Sequence, residues 1–404
     1  MNRTIKKCIG QLHLWLGLAS GAIIFILGIT GCILAFEVEL KEQLHHDRLF
    51  VEPKSNSQPL PLSRSLEVAH QSLGEDVKVQ RLYVPNDPGR SVIAVNYTAN
   101  SNPTGIWYWD SMVKYLHVYI NPYTAKVLDK EDETFEFFYF VEWLHYSLLL
   151  KTALGQPIIG YATLIFVFLL FSGLILWWPN NKKAFKVRTW FRWKSTSKWK
   201  RKNYDLHNIL GFYSMFFVVF IALTGLMWAF TWFNDGVVWL ANGGKILEKE
   251  TVIVESTETS PGIIHPLDVA HQYLKTNYPK AKTYRVRLPE DTIGTIGTYV
   301  DYTNNTRDVY LQFDQYSGQL LHTGGQWEDK TNGEKISALN YDIHVGAIGG
   351  LAGKTIAFFL SLFAASLPVT GFLIWYGRTF KKAKQKSNSG KVSVVLREST
   401  SFQK

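Results

Sequence analysis

The sequence predicts a membrane α-helical protein, a four-span bundle built from a tandem parallel repeat, with two α+β domains outside the bilayer. Three observations carry that expectation. Four stretches, roughly residues 14–36, 157–178, 209–230 and 355–375, are almost free of charge, and each has about the twenty-residue length a helix needs to cross a bilayer. A gapless shift of 194 residues superposes Leu12, His13, Leu16, Gly17, Thr30, Gly31, Ala35 and Phe36 on Leu206, His207, Leu210, Gly211, Thr224, Gly225, Ala229 and Phe230, a self-similarity that marks a repeat architecture. Between the apolar stretches lie two long polar segments with the helix-then-strand pattern of a small α+β domain.

Residues 1–36 hold the first span behind Arg3, Lys6 and Lys7. A signal peptide begins similarly, but this apolar run is too long for one and matches the third span, so it reads as a retained helix. Residues 37–142 form the first outside domain. There Leu66-Glu-Val-Ala-His-Gln-Ser-Leu73 is an amphipathic helix with Leu66, Ala69 and Leu73 on one face, followed by strand patterns at 79–84 and 118–128. Residues 143–180 are an interfacial segment and the second span, and Gly155-Gln-Pro157 is expected to break the helix after His145. A basic loop occupies 181–204.

The second half repeats the plan. The third span lies in 205–231. The second outside domain, 232–340, contains Leu267-Asp-Val-Ala-His-Gln-Tyr-Leu274 and strand patterns at 284–288 and 311–321. Residues 341–378 are an interfacial segment and the fourth span, with the glycine-rich 346–353 breaking the helix after His344. Residues 379–404 form a tail whose composition predicts disorder from Ser387 onward.

Charge sets the expected orientation. The central loop carries Lys182, Lys183, Lys186, Arg188, Arg192, Lys194, Lys198, Lys200, Arg201 and Lys202, and the tail Arg378, Lys381, Lys382, Lys384 and Lys386. Short basic loops stay in the cytoplasm, so both termini and the central loop are expected inside, with 37–156 and 231–354 outside. The net charge of +10 is then a topology signal, not a nucleic-acid footprint. With 47% apolar and 15% aromatic residues the chain is no disordered protein. Its two cysteines, Cys8 and Cys32, fall at or in the first span, which excludes a disulfide scaffold or a cysteine-ligated metal in the outside domains.

Four histidines end the apolar stretches. His13 and His207 open the first and third spans, which both run outward, so both lie at the cytoplasmic face; His145 and His344 precede the second and fourth spans at the outer face. Pairing within one half would have to bridge about 30 Å of bilayer. An axis along the membrane normal instead brings each histidine to its repeat mate, and two neutral imidazoles meeting so can hold a b-type haem iron. Gly17 and Gly211 lie four residues after their histidines, on the same helix face, where a flat ring would need room. Thr30-Gly31 and Thr224-Gly225 fall 17 and 18 residues beyond His13 and His207, about 26 Å at 1.5 Å per residue, hence near the outer pair. Ser172-Gly173 and Thr370-Gly371 likewise reach the inner pair.

Each feature also has an ordinary explanation, since interfacial histidines are common and small residues serve helix packing. Recurrence at equivalent places favours ligands. Zinc would lack its remaining donors. A proton relay stays open, though no further ionisable residue continues it within the spans. His70 and His271 read as packing residues. His117 and the run Ile106-Trp-Tyr-Trp109 read as core or interface anchors, with a groove for an apolar chelate as the weaker alternative. His45, His46, His265 and His322 are given no role. Lys6, Lys7, Lys151, Lys202 and Lys354 are expected to snorkel or to pair with propionates. The glycine-rich 346–353 follows no βαβ strand and is no nucleotide fingerprint, so an electron donor has to come from elsewhere.

The motifs Leu12-His-Leu-Trp-Leu-Gly-Leu18, Trp143-Leu-His-Tyr-Ser-Leu148, Asp205-Leu-His-Asn-Ile-Leu-Gly211, Asp342-Ile-His-Val-Gly346 and Leu367-Pro-Val-Thr-Gly371 carry a resemblance. Over about residues 5–380 the chain resembles the PepSY-associated transmembrane family, and within it the di-haem ferric-siderophore reductases of Gram-negative inner membranes. The outside helices are similar to those of PepSY domains. The resemblance implies an inner-membrane oxidoreductase with two b haems, one on His13 and His207 and one on His145 and His344. Electrons would enter from a quinol or soluble flavoprotein inside and leave to a ferric chelate in the periplasm. PepSY domains are elsewhere regulatory or inhibitory, so a non-enzymatic binding protein is the alternative. A transporter would need ionisable or broken-helix features at mid-membrane, which the spans lack.

Overall fold

The structure, a computed structural model, describes residues 3–53, 57–74, 77–247, 252–258, 262–302 and 309–399, with side chains as far as Phe380. In chain order the elements are α1 (Arg3–Leu34), α2 (Glu37–Leu44), α3 (His46–Leu49), α4 (Leu62–Leu73), β1 (Arg81–Pro85), β2 (Val92–Ala99), β3 (Met112–Ile120), β4 (Val127–Asp132), α5 (Phe137–Ser147) and α6 (Thr152–Trp177). After α7 (Lys182–Arg188) come α8 (Trp199–Ala229), α9 (Thr231–Ala241), α10 (Pro266–Asn277), β5 (Thr283–Arg287), β6 (Thr295–Asp301), β7 (Val309–Asp314), β8 (Leu320–Gly324), α11 (Asn332–His344) and α12 (Gly350–Ser399). These fall into two units, one of residues up to Cys32, Ile159–Leu226 and Ile356 onward, the other of Ile33–Ile158 and Met227–Thr355.

The first unit is helical. Four segments, Arg3–Leu34, Thr152–Trp177, Trp199–Ala229 and Ala347–Phe380, are long and apolar enough to cross a membrane, and this is a helical membrane protein. Its interior is drawn from all four: Ile24 of α1, Ala162, Phe166 and Leu170 of α6, Met215, Val218 and Ala222 of α8, and Ala364 of α12. Phe171, Phe217 and Phe220 point outward, an inside-out arrangement that only a lipid surround makes favourable. Close approach needs small residues. A methyl group on Gly28 would stand 2.7 Å from Ala365 Cβ and 2.8 Å from the Ser361 carbonyl oxygen.

The second unit is a sheet covered by helices. The eight strands are antiparallel in the order β4-β3-β2-β1-β5-β6-β7-β8. Leu82 pairs with Val286 across the central β1–β5 seam. The residues of α4 (Leu62, Val68, Ala69, Leu73) and α10 (Leu267, Ala270, Leu274) bury against Leu82, Val84, Val118, Tyr284, Val286 and Phe313. The Asp268 carboxylate ties the helices together by accepting from the Ser63 backbone N–H at 2.8 Å and its hydroxyl at 2.5 Å. Separate domains at 37–142 and 232–340 are the expectation; the strands of both segments instead share this one sheet. Without the seam β1 and β5 would each expose a row of unpaired N–H and C=O groups.

Two further expectations need correction. The chain breaks after His145 at Leu148 and Leu149, with φ of 55° and 64°, and not at Gly155-Gln-Pro157, which lies inside α6. Ser147 receives the constraint: a side chain on Gly155 would meet its carbonyl oxygen. The tail is helical through Ser399, and of the segment expected to be disordered 400–404 lie outside the described residues. The stretch 381–386, made only of Lys, Ala and Gln, favours helix and carries α12 as far as Ser387. After His344 the break does fall in the glycine-rich segment, at Gly346 (φ 77°) and Gly350 (φ 60°).

Candidate functional site

In the membrane unit each inner histidine is held by a hydroxyl from another span. His13 Nδ1 lies 2.9 Å from Ser172 Oγ, and His207 Nδ1 lies 2.9 Å from Thr370 Oγ1. Ser172 donates its own proton to the Leu169 carbonyl at 3.2 Å, and Thr370 to the Ser366 carbonyl at 2.8 Å, as helical hydroxyls do. With its proton spent there, each oxygen faces the ring as an acceptor. The imidazole then carries hydrogen on Nδ1 and keeps the Nε2 lone pair, which is how an outer hydroxyl or carbonyl prepares a histidine to ligate metal.

The glycine after each hydroxyl gives the ring its space. A methyl group on Gly173 would come within 3.3 Å of His13 Cε1, and one on Gly371 within 3.3 Å of His207 Cε1. Gly17 and Gly211 differ, because a methyl there meets only leucine side chains, Leu169 at 3.9 Å and Leu367 at 3.5 Å. Protein packing therefore does not demand glycine at those two positions. Gly31 and Gly225 are half-buried in α1 and α8, beside Thr30 and Thr224, whose hydroxyls turn back onto the Ile26 and Ile221 carbonyls at 2.7 Å.

The outer histidines belong to the second unit. His145 sits in the last turn of α5 and His344 closes α11. Their ring centroids are 6.1 Å apart at an interplanar angle of 74°. The Trp228 ring stands edge-on to His344 at 5.1 Å, and its carbonyl accepts from Gln156 Nε2 at 3.0 Å. Two carboxylates act on this region, Glu142 of α5 and Glu37 of α2. Glu142 lies one turn before His145, where burial, and then the Glu37 charge, push its carboxyl above the ordinary range. Burial followed by Glu37 and Glu142 raises the Tyr341 hydroxyl to about 12.

Sequence reasoning passed over Trp228 and the acceptor role of Ser172 and Thr370. A tryptophan at a span end has an ordinary interfacial explanation, and helix rotation, which decides what a hydroxyl meets, is not written in hydropathy. Other candidates fall elsewhere. Lys354 is engaged with Glu39 at 2.8 Å, and Lys151 donates to the Pro103 carbonyl at 3.0 Å. His265 caps α10 by accepting from Leu267 N–H. His271 is half-buried and edge-on to Tyr284 at 6.0 Å. His117 is held at about 3, first by burial and then by Lys41 and Arg48, with Nδ1 3.5 Å from Glu133.

A family model described as the PepSY-associated TM region matches residues 11–378. No curated protein matches the chain.

Proposed function

The chain belongs to the PepSY-associated TM family, and within that family we propose that it is a transmembrane di-haem b electron-transfer protein. It would act as an oxidoreductase of the bacterial inner membrane, reducing a ferric siderophore or similar iron(III) chelate in the periplasm. The observation that carries this reading is the mirrored pair of contacts, His13 with Ser172 and His207 with Thr370, each with a glycine pressed against the ring. The arrangement occurs once in each half of the chain, at positions that match under the repeat.

The outer pair supports the same chemistry. Two imidazoles coaxial on one metal, with bonds of about 2 Å, put their ring centroids about 6–6.5 Å apart, and His145 and His344 stand at 6.1 Å. Each haem would supply reversible one-electron transfer at its iron. The residues would do the rest: His13, His207, His145 and His344 would hold the two irons, Ser172 and Thr370 would fix tautomer and rotation of the inner rings, and Gly17 and Gly211 would leave room one turn from them. The palindromic strand order supports a tandem duplication, with His13 matched to His207 and His145 to His344.

Positive charge in the 181–204 loop supports cytoplasmic termini and a periplasmic sheet unit. A quinol or a soluble flavoprotein would then deliver electrons to the inner pair, and one electron per ferric ion would leave from the outer pair. Iron(II) binds hard oxygen donors less tightly than iron(III), so reduction loosens the chelate.

Purified protein should show a split, dithionite-reducible b-type spectrum. His13→Ala and His145→Ala should each remove one component. The reduced protein should be reoxidised by ferric chelates faster than by copper, thiol or quinone compounds. Colourless protein would sink the reading and leave the regulatory one.

A further inference from the structure

Helix α9 presents its apolar side to the outside. Trp232 and Leu240 are 62% and 69% exposed, with Trp239 also exposed beside them. At 100° per residue Leu240 lies about 160° from Val238 and Asn242, and Trp232 and Trp239 lie about 60–120° from them, on one flank. Val238 and Asn242 are the positions that meet α11: a methyl on Gly333 would stand 2.6 Å from Val238 Cγ1, and the Gly333 N–H donates to Asn242 Oδ1 at 2.8 Å. Tryptophan and leucine therefore face out, which a helix in water avoids, and the one charged residue, Asp235, is exposed as well. Ile246 and Leu247, just beyond the helix, are exposed as well.

A single residue, Phe230, in extended conformation, separates α9 from α8. One residue spans under 4 Å, so α9 starts where a membrane-crossing helix ends. The junction alone does not impose this character. The helix that follows α1 in the same way, α2, carries Glu37, Glu39, Lys41 and Glu42, whereas α9 has Asp235 as its one charged residue.

We propose that α9 is an interfacial helix that lies in the bilayer surface at the end of the third span, with Trp232, Trp239 and Leu240 seated at the headgroup–acyl boundary. Tryptophan favours that boundary because its ring is apolar and its N–H remains hydrated, and helices with such a face lie in the plane of the interface. The occupant of this face is lipid. Through Val238, Asn242 and Gly333 the same helix braces α11, whose last residue is His344.

The test uses full-length protein in nanodiscs of phosphatidylcholine and phosphatidylglycerol, with Cys8→Ser and Cys32→Ala as background. Spin labels at Trp232→Cys and Leu240→Cys should collide several-fold more often with oxygen than with a water-soluble nickel chelate. A label at Lys245→Cys should show the opposite preference. Nickel access at 232 and 240 equal to that at 245 would overturn the proposal by showing a water-facing helix. Exclusion of both reagents would overturn it in favour of a second copy or protein partner. If a labelled variant does not fold, tryptophan quenching by dibrominated lipid gives an independent reading. Quenching should fall in Trp232→Phe/Trp239→Phe relative to the parent, and an unchanged value would overturn the proposal.

Discussion

Each inner imidazole meets a hydroxyl whose own proton is committed to a helix carbonyl, so the contact is directional and a substitution can be read from it. Ser172→Ala removes the hydroxyl that meets His13 Nδ1, and Thr370→Val leaves His207 only the Leu367 carbonyl beside it, so both rings are less firmly oriented. Losing such an outer partner typically costs 10–100-fold in metal-ligand affinity, so each variant should lose haem from the inner site at dilution while Thr370→Ser retains it. Haem per chain, measured as the pyridine adduct, reads this; full retention in Ser172→Ala would remove the hydroxyl from the argument. His117 offers a second residue-scale test. Its folded value, about 3, lies below the unfolded value of about 6.5, so the unfolded chain binds the extra proton. Its contribution is complete above pH 6.5 and is lost as pH falls towards 3. Burial pushes Glu133 upward, which works in the opposite sense at lower pH. The comparison must therefore be with His117→Asn: between pH 7 and 4 the parent should lose stability relative to the variant, on the order of a few kcal/mol. A pH-independent difference in melting temperature would refute this.

Glycines at helix junctions decide how the elements meet, and they respond differently by location. Gly28→Val must force α1 away from α12, because the nearest atoms include backbone at Ser361 and Ala365; overpacking of this kind typically costs about 1–3 kcal/mol. Gly155→Ala would strike the Ser147 carbonyl at the start of α6, displacing α5 and with it His145. That variant should lose the outer component of the haem spectrum and keep the inner one. Gly236→Ala in α9 meets nothing within 4 Å and should stabilise the helix by up to about 1 kcal/mol. A lower melting temperature for Gly236→Ala would contradict it. Elements of this kind were legible in unequal measure. The spans and the helices α4 and α10 follow from hydropathy and periodicity, which depend on local sequence alone. The break at Leu148 and Leu149 was not, since leucine rarely takes positive φ and Gly155-Gln-Pro157 looks like the stronger punctuation.

At the scale of the molecule, the hidden feature was the β1–β5 seam, in which Leu82 meets Val286 across some two hundred residues of chain. Strand patterns announce that a strand forms but not which edge it joins, and here each half supplies the partner that the other half's exposed edge lacks. The histidines obey the same division: His13 and His145 come from the first half, His207 and His344 from the second. This makes a strong prediction about splitting the chain. Residues 1–198 expressed alone would have an unpaired β1 edge and one imidazole for each proposed site, and 199–404 would be in the same position. Neither should yield the low-spin spectrum of an iron with two imidazole ligands. Co-expression should restore it, because the seam and the interior shared by Ile24, Phe166, Met215 and Ala364 draw on both pieces. Changing His207→Ala in the second piece should then abolish the inner component even when the first piece is intact. A single piece that binds haem through two histidines on its own would show that the ligands pair within a half, and the duplicated architecture would no longer explain the site.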